Sequence, residues 1–173
     1  MTEIATPLAL NHIGMTVPDI RAAVAWYRRV LGFRCISEPH LLVPKAPPGV
    51  AQSPYSMGPR FKKAWHAHLV TANGVGLEMF QFVDPPMEKP ADNMEFWKHG
   101  YWHLCFTDPD IEGFAAKVVA AGGRQRMPVH EFVSGSGLKH VYLEDPWANV
   151  FEVFTHSYEQ SFANRPMPAA PAD

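Results

Sequence analysis

The chain changes its hydrophobic period in an order that occurs twice. Residues 8–17 alternate, with Ile13, Met15 and Val17 on one face of an extended strand and His12 and Gly14 on the other. From Asp19, a suitable N-cap, the period becomes helical. Ile20, Val24, Tyr27 and Leu31 form one apolar stripe, and Gly32 is placed to end the helix. Residues 33–37 read as a short strand. Residues 65–71 and 75–82 read as a hairpin around Ala72-Asn73-Gly74, since Asn-Gly favours a tight turn.

The order then repeats. Residues 101–107 place Trp102, Leu104 and Phe106 on one strand face and His103 on the other. Residues 110–121 form a helical stretch carrying Ile111, Phe114, Val118 and Val119, closed by Gly122-Gly123. A weak strand at 126–129 precedes a hairpin of 138–143 and 148–155 around Glu144-Asp145-Pro146-Trp147. Each half reads β-α-β-β-β, which predicts an α+β fold of two tandem βαβββ modules at 8–83 and 101–156. Residues 84–100 are expected to be a linker, and 157–173 a partly mobile tail.

The repetition extends to chemistry. Asn11-His12-Ile13-Gly14 and Trp102-His103-Leu104-Cys105 each stand before an Asp-Ile pair that starts seven residues after the histidine. Each half closes on a similar apolar strand, Leu77-Glu78-Met79-Phe80 or Phe151-Glu152-Val153-Phe154. A glutamate among apolar residues is costly to bury unless something pairs with it. One histidine alone would argue only for a hydrogen-bonded core residue. Two structural histidines have little reason to share a register in two repeated strands, each answered by a glutamate on the last strand. His12, Glu78, His103 and Glu152 are therefore expected to bind one divalent metal ion (Zn²⁺, Ni²⁺, Co²⁺, Mn²⁺ or Fe²⁺) on a pseudo-twofold axis.

Other residues compete for roles. His140 and Tyr142 share a face and are expected to reach substrate, with Glu78 and Glu152 as the catalytic carboxylates. His66 and His68 also share a strand face, but no carboxylate answers them at a matching position, so they read as cavity-lining or surface groups. Phe80, Phe82 and Phe154 imply apolar walls around a polar floor. Arg28 and Arg29 on the helix face read as solvated.

Composition narrows the partners. The 173 residues carry a net charge of −2, which gives no electrostatic case for nucleic acid or an anionic membrane surface. No apolar run is long enough to span a bilayer, and residues 1–7 lack the pattern of a secretory leader. Two cysteines, Cys35 and Cys105, do not suggest a disulfide framework, so the expected location is the cytoplasm. Twelve of the 17 prolines cluster at 39–59, 85–90 and 166–171, which marks these stretches as loops or linkers.

Four segments carry a family resemblance: Leu10-Asn11-His12-Ile13-Gly14, Trp26 to Phe33, Gly100-Tyr101-Trp102-His103, and Glu144 to Glu152. Over about residues 8–156 the chain resembles the vicinal oxygen chelate superfamily, which includes glyoxalase I, methylmalonyl-CoA epimerase, extradiol dioxygenases and fosfomycin and bleomycin resistance proteins. The resemblance implies two βαβββ modules forming a cupped mixed sheet around a metal. It implies ligands on the first and last strands of each module, which fall here on His12, Glu78, His103 and Glu152. It also implies a homodimer acting on a small molecule, with Trp26, Trp65, Trp97 and Trp147 as interface aromatics if exposed. Whether the four ligands come from one chain or two stays open, because relatives pair modules both ways.

Within that family, lyases like glyoxalase I carry Glu at the second ligand position and epimerases Gln or Glu. Extradiol dioxygenases place no ligand there. Glu78 thus favours enolisation of a small α-hydroxycarbonyl substrate by a lyase or an isomerase (epimerase). The alternatives are an Fe²⁺ dioxygenase using His12, His103 and Glu152, and an antibiotic- or metabolite-binding resistance protein without turnover.

Overall fold

Alternation gives strands and helical spacing gives helices, in two units that repeat one topology. The computed structural model describes residues 6–44 and 57–163. Residues 1–5, the centre of the Pro-rich stretch at 45–56 and the tail from 164 lie outside the described residues. The chain divides into two compact units, 1–89 and 90–173.

The first unit contains β1 (His12–Thr16), α1 (Ile20–Val30), β2 (Arg34–Leu42), β3 (Lys63–Val70) and β4 (Gly76–Asp84). Its sheet has the order β1-β4-β3-β2, with β1 parallel to β4 and the other pairs antiparallel. Asp19 caps α1 by accepting hydrogen bonds at 3.0 Å from the backbone of Arg21 and Ala22. Gly32, at φ 70°, supplies the left-handed residue that ends it. The buried face of α1 carries Ile20, Val24, Tyr27 and Val30. Beneath the helix lie Ala67, Leu69, Leu77 and Met79, all nearly inaccessible. Leu69, Leu77 and Met79 each contribute roughly 1.5–3 kcal/mol by leaving water.

Strand alternation puts the neighbouring residues on the opposite sheet face. His66 and His68 of β3 and Glu78 and Phe80 of β4 share that face. The hairpin joining β3 to β4 turns at Gly74, φ 83°, as the Asn-Gly pair predicted.

The second unit contains β5 (Leu104–Thr107), α2 (Ile111–Ala120), β6 (Arg124–Gln125), β7 (His130–Glu131), β8 (Lys139–Glu144), β9 (Val150–Phe154) and α3 (Tyr158–Phe162). Its strand order, β5-β9-β8-β6 with β7 also on β8, reproduces that of the first unit, including the parallel first and last strands. Phe106, Phe114 and Phe151 pack together on the helix side.

Several expectations need correction. The second strand runs to Leu42 rather than stopping at Ser37. Pro39 is tolerated because β2 is an edge strand and its register shifts between Ser37 and His40. The weak strand expected at 126–129 is instead two short pieces flanking that stretch, which contains Pro128 and so lacks one backbone donor. The second unit thus has one strand more than the repeat predicts. Strand β5 starts at Leu104, three residues later than expected, so His103 immediately precedes it. Residues 158–162 are helical rather than part of a loose tail, because Ser157 and Gln160 form a capping box. Phe162 of that helix packs on Phe132 and Phe154. Trp26 is buried in the core and offers no interface surface, whereas Trp97 is exposed.

Candidate metal centre

The two glutamates have the same surroundings in their separate units. Glu78 is paired across the sheet with Gly14 of β1 and His68 of β3. Glu152 is paired with Cys105 of β5 and Tyr142 of β8. Each carboxylate then sits between two imidazoles. In the first unit His12 Nε2 lies 3.6 Å from Glu78 Oε2, and His66 Nε2 lies 2.9 Å from Oε1. In the second, His103 Nε2 lies 3.4 Å from Glu152 Oε2, and His140 Nδ1 lies 2.9 Å from Oε1. His66 and His140 each stand 12 residues before their glutamate.

His66 is therefore answered by a carboxylate, contrary to the sequence expectation. The signal was present as a second repeat, His at 12 residues before each Glu.

The close approach of β1 to β4 has a local cause. Gly76 lies opposite His12, and a Cβ built there would stand 2.9 Å from His12 Cβ. A larger residue at 76 would push the histidine away. The His12 ring is oriented from its other side, where Nδ1 donates to Asn11 Oδ1 at 2.7 Å. With Nδ1 held there, Nε2 is the nitrogen turned toward Glu78.

The electrostatics differ between the units. Burial opposes ionisation of Glu152, but hydrogen bonds from His103, His140 and Tyr142 outweigh it and hold the carboxyl below its ordinary value. Burial and the Glu152 charge push the Tyr142 hydroxyl up, so Tyr142 stays protonated and donates. Cys105 is exposed as a residue, yet desolvation of its thiol beside Glu152 pushes it up to about 12, which makes it a poor nucleophile. In the first unit burial and the neighbouring His68 pull His66 down, so its imidazole is neutral at physiological pH.

The family model described as the Glyoxalase/Bleomycin resistance protein/Dioxygenase superfamily matches residues 9–153. The chain belongs to that superfamily. No curated protein matches it. Among solved structures it is similar to a glyoxalase family protein from Bacillus cereus, at 14% identity and a TM-score of 0.67, over 89% of this chain and 97% of that one. It is also similar to a glyoxalase/dioxygenase from Nostoc punctiforme (19%, TM-score 0.56, 88% and 97%). A third similar structure is a fosfomycin resistance protein from Listeria monocytogenes (13%, TM-score 0.55, 90% and 97%). At these identities the structures show the glyoxalase fold and not the reaction.

Superfamily members typically use a divalent metal. The donors here fit such an ion: His12 Nε2 faces a carboxylate oxygen at 3.6 Å, too long for a hydrogen bond. His103 is in the matching position, with its Nδ1 buried and without a hydrogen-bond partner among the described residues. A further set of donors from His66, His68 and Glu78 lies within 4.8 Å of one another. No helix of the described residues is long and apolar enough to cross a membrane.

Proposed function

We propose that this glyoxalase-superfamily chain is a metal-dependent lyase or isomerase (epimerase) that enolises a small α-hydroxycarbonyl substrate. The observation that carries the reading is the repeated carboxylate with a histidine on each oxygen. His12, Glu78, His103 and Glu152 are the proposed metal ligands, one histidine and one glutamate from each unit. When bound, a divalent ion supplies positive charge that acidifies the C–H beside a chelated carbonyl.

The chain's own groups do the rest. Glu78 or Glu152 takes the carbon-bound proton on a carboxylate oxygen, a step of the kind that contributes about 10²–10⁴-fold. His66 and His140 hold the Oε1 atoms at 2.9 Å, which fixes each carboxylate's orientation while Oε2 faces His12 or His103. Tyr142 donates toward Glu152 and tempers its basicity. Glu78 has no such phenol beside it; its cross-strand neighbour is His68. Two differently tempered carboxylates suit an epimerase, which needs one group to remove a proton and another to return it.

One observation favours a second reading. Tyr142 packs edge-on against His103, with ring centroids 5.5 Å apart, so His103, Glu152 and a phenol cluster as an Fe²⁺ dioxygenase would use them. Oxygen dependence separates the two. Small α-hydroxyketones, starting with dihydroxyacetone, are incubated with the Co²⁺- or Fe²⁺-loaded protein in deuterated buffer under argon and followed by proton NMR. Enolisation predicts deuterium entering the carbon beside the carbonyl without oxygen. Consumption of substrate only when oxygen is admitted overturns it.

A further inference from the structure

We propose that the first unit holds a second metal site of its own, built from His66, His68 and Glu78 and distinct from the set that includes His12. It does not rest on the proposed reaction. His66 and His68 are two residues apart on β3 and so project from one sheet face, and His68 is paired directly with Glu78 on β4. Their ring centroids are 4.3 Å apart, with the planes at 70° to each other. One donor atom from each of the three residues lies within 4.8 Å of the others, a spacing a single ion can span.

The geometry leaves room for a shared ion. His66 is buried, and its Nε2 faces Glu78 Oε1 at 2.9 Å. An ion held there would take Nε2 and Oε1 as ligands together.

The two sites use different parts of Glu78. Oε2 faces His12 and Oε1 faces His66. His40 offers a further donor, since its rings lie 5.2 Å and 6.4 Å from those of His66 and His68. Its Nδ1 donates to the Glu38 carbonyl at 3.0 Å. Two or three imidazoles and one carboxylate select Zn²⁺, Co²⁺, Ni²⁺ or Fe²⁺ over Mg²⁺ or Ca²⁺. The second unit has Tyr142 where the first has His68, and among the described residues no such triad forms there.

Metal-free full-length protein is titrated with Co²⁺ by calorimetry and visible absorption. The wild type is expected to bind two ions. His68→Gln, at a partly exposed position that tolerates the change, should lose one of them or weaken it at least tenfold. His12→Ala/His103→Ala should lose the other and keep the one that responds to His68. Unchanged number and affinity in His68→Gln overturns this site. Unchanged binding in His12→Ala/His103→Ala overturns the ligand set of the proposed function instead. Proton NMR of the unsubstituted Co²⁺ protein gives an independent check. Paramagnetically shifted imidazole N–H signals from the β3 histidines are expected with the second ion, and their absence contradicts it.

Discussion

The first unit leaves its glutamate more open to water than the second. The side chains of His12 and Glu78 are 53% and 26% exposed, against 24% and 11% for His103 and Glu152. The first carboxylate is bordered by His66 and His68, the second by His140 and Tyr142. Trp102 stacks on Tyr142 and contacts His103, which closes the second unit's polar face with aromatic surface. One repeated backbone therefore supports two carboxylates of different character. The open one has imidazole neighbours suited to cations, and the closed one has a phenol that holds a proton.

The largest expected effect is on exchange. Glu78→Gln and Glu152→Gln each keep shape and remove basicity, and each should slow deuterium entry into a reactive α-hydroxyketone by about 10²-fold or more. Equal rates for the variants and the wild type would erase the contrast.

The next effect concerns stability in the second unit. Glu144 is almost fully buried and receives two hydrogen bonds from Arg124, at 2.7 Å and 2.9 Å, and one from Arg126. Arg126 continues to Asp92 at 2.6 Å. Removing one partner of a buried ion pair costs about 3 kcal/mol, so Glu144→Ala should lower the melting temperature by roughly 6–12 °C. Burial opposes Glu144's ionisation, but the two arginines outweigh it and hold its carboxyl below the ordinary 4.5. A depressed carboxylate pKa stabilises the fold above the unfolded value, and the contribution fades as pH falls through the folded one. Glu144→Gln should flatten that acid limb of the stability curve, measured by denaturant titration between pH 6 and 3. The first unit has no arginine pair of this kind among its described ion pairs, and its metal binding should survive the change.

Smaller still is Gly76→Ala. The added methyl meets His12 Cβ, so β1 and β4 must part by a few tenths of an ångström. Displacing a ligand this way is expected to weaken metal binding about tenfold, within the range seen when ligand support is lost. Val150, two residues before Glu152 as Gly76 is before Glu78, shows that the second unit holds His103 without needing a glycine there.

The fold was legible because it rests on period and punctuation. Asp19, Gly32, Asn73-Gly74 and Gly122 mark element ends that local physics enforces. What escaped depended on tertiary context. Pro39 looked like a strand breaker and is harmless on an edge, and Arg124-Gln125 are too short and polar to announce a strand. The glutamates and first-strand histidines were visible as a repeat. His140 is legible from the face it shares with Tyr142, whereas the reach of His66 to Glu78 runs diagonally across a hairpin and follows only from its register.

The central claim is that the first-strand histidine and last-strand glutamate of each unit hold a metal. It is tested most directly by measuring Co²⁺ bound per chain in His12→Ala/His103→Ala, with circular dichroism to verify folding. Loss of the ion that is insensitive to His68→Gln, together with loss of deuterium exchange, is the predicted result. Full retention of both binding and exchange would contradict it.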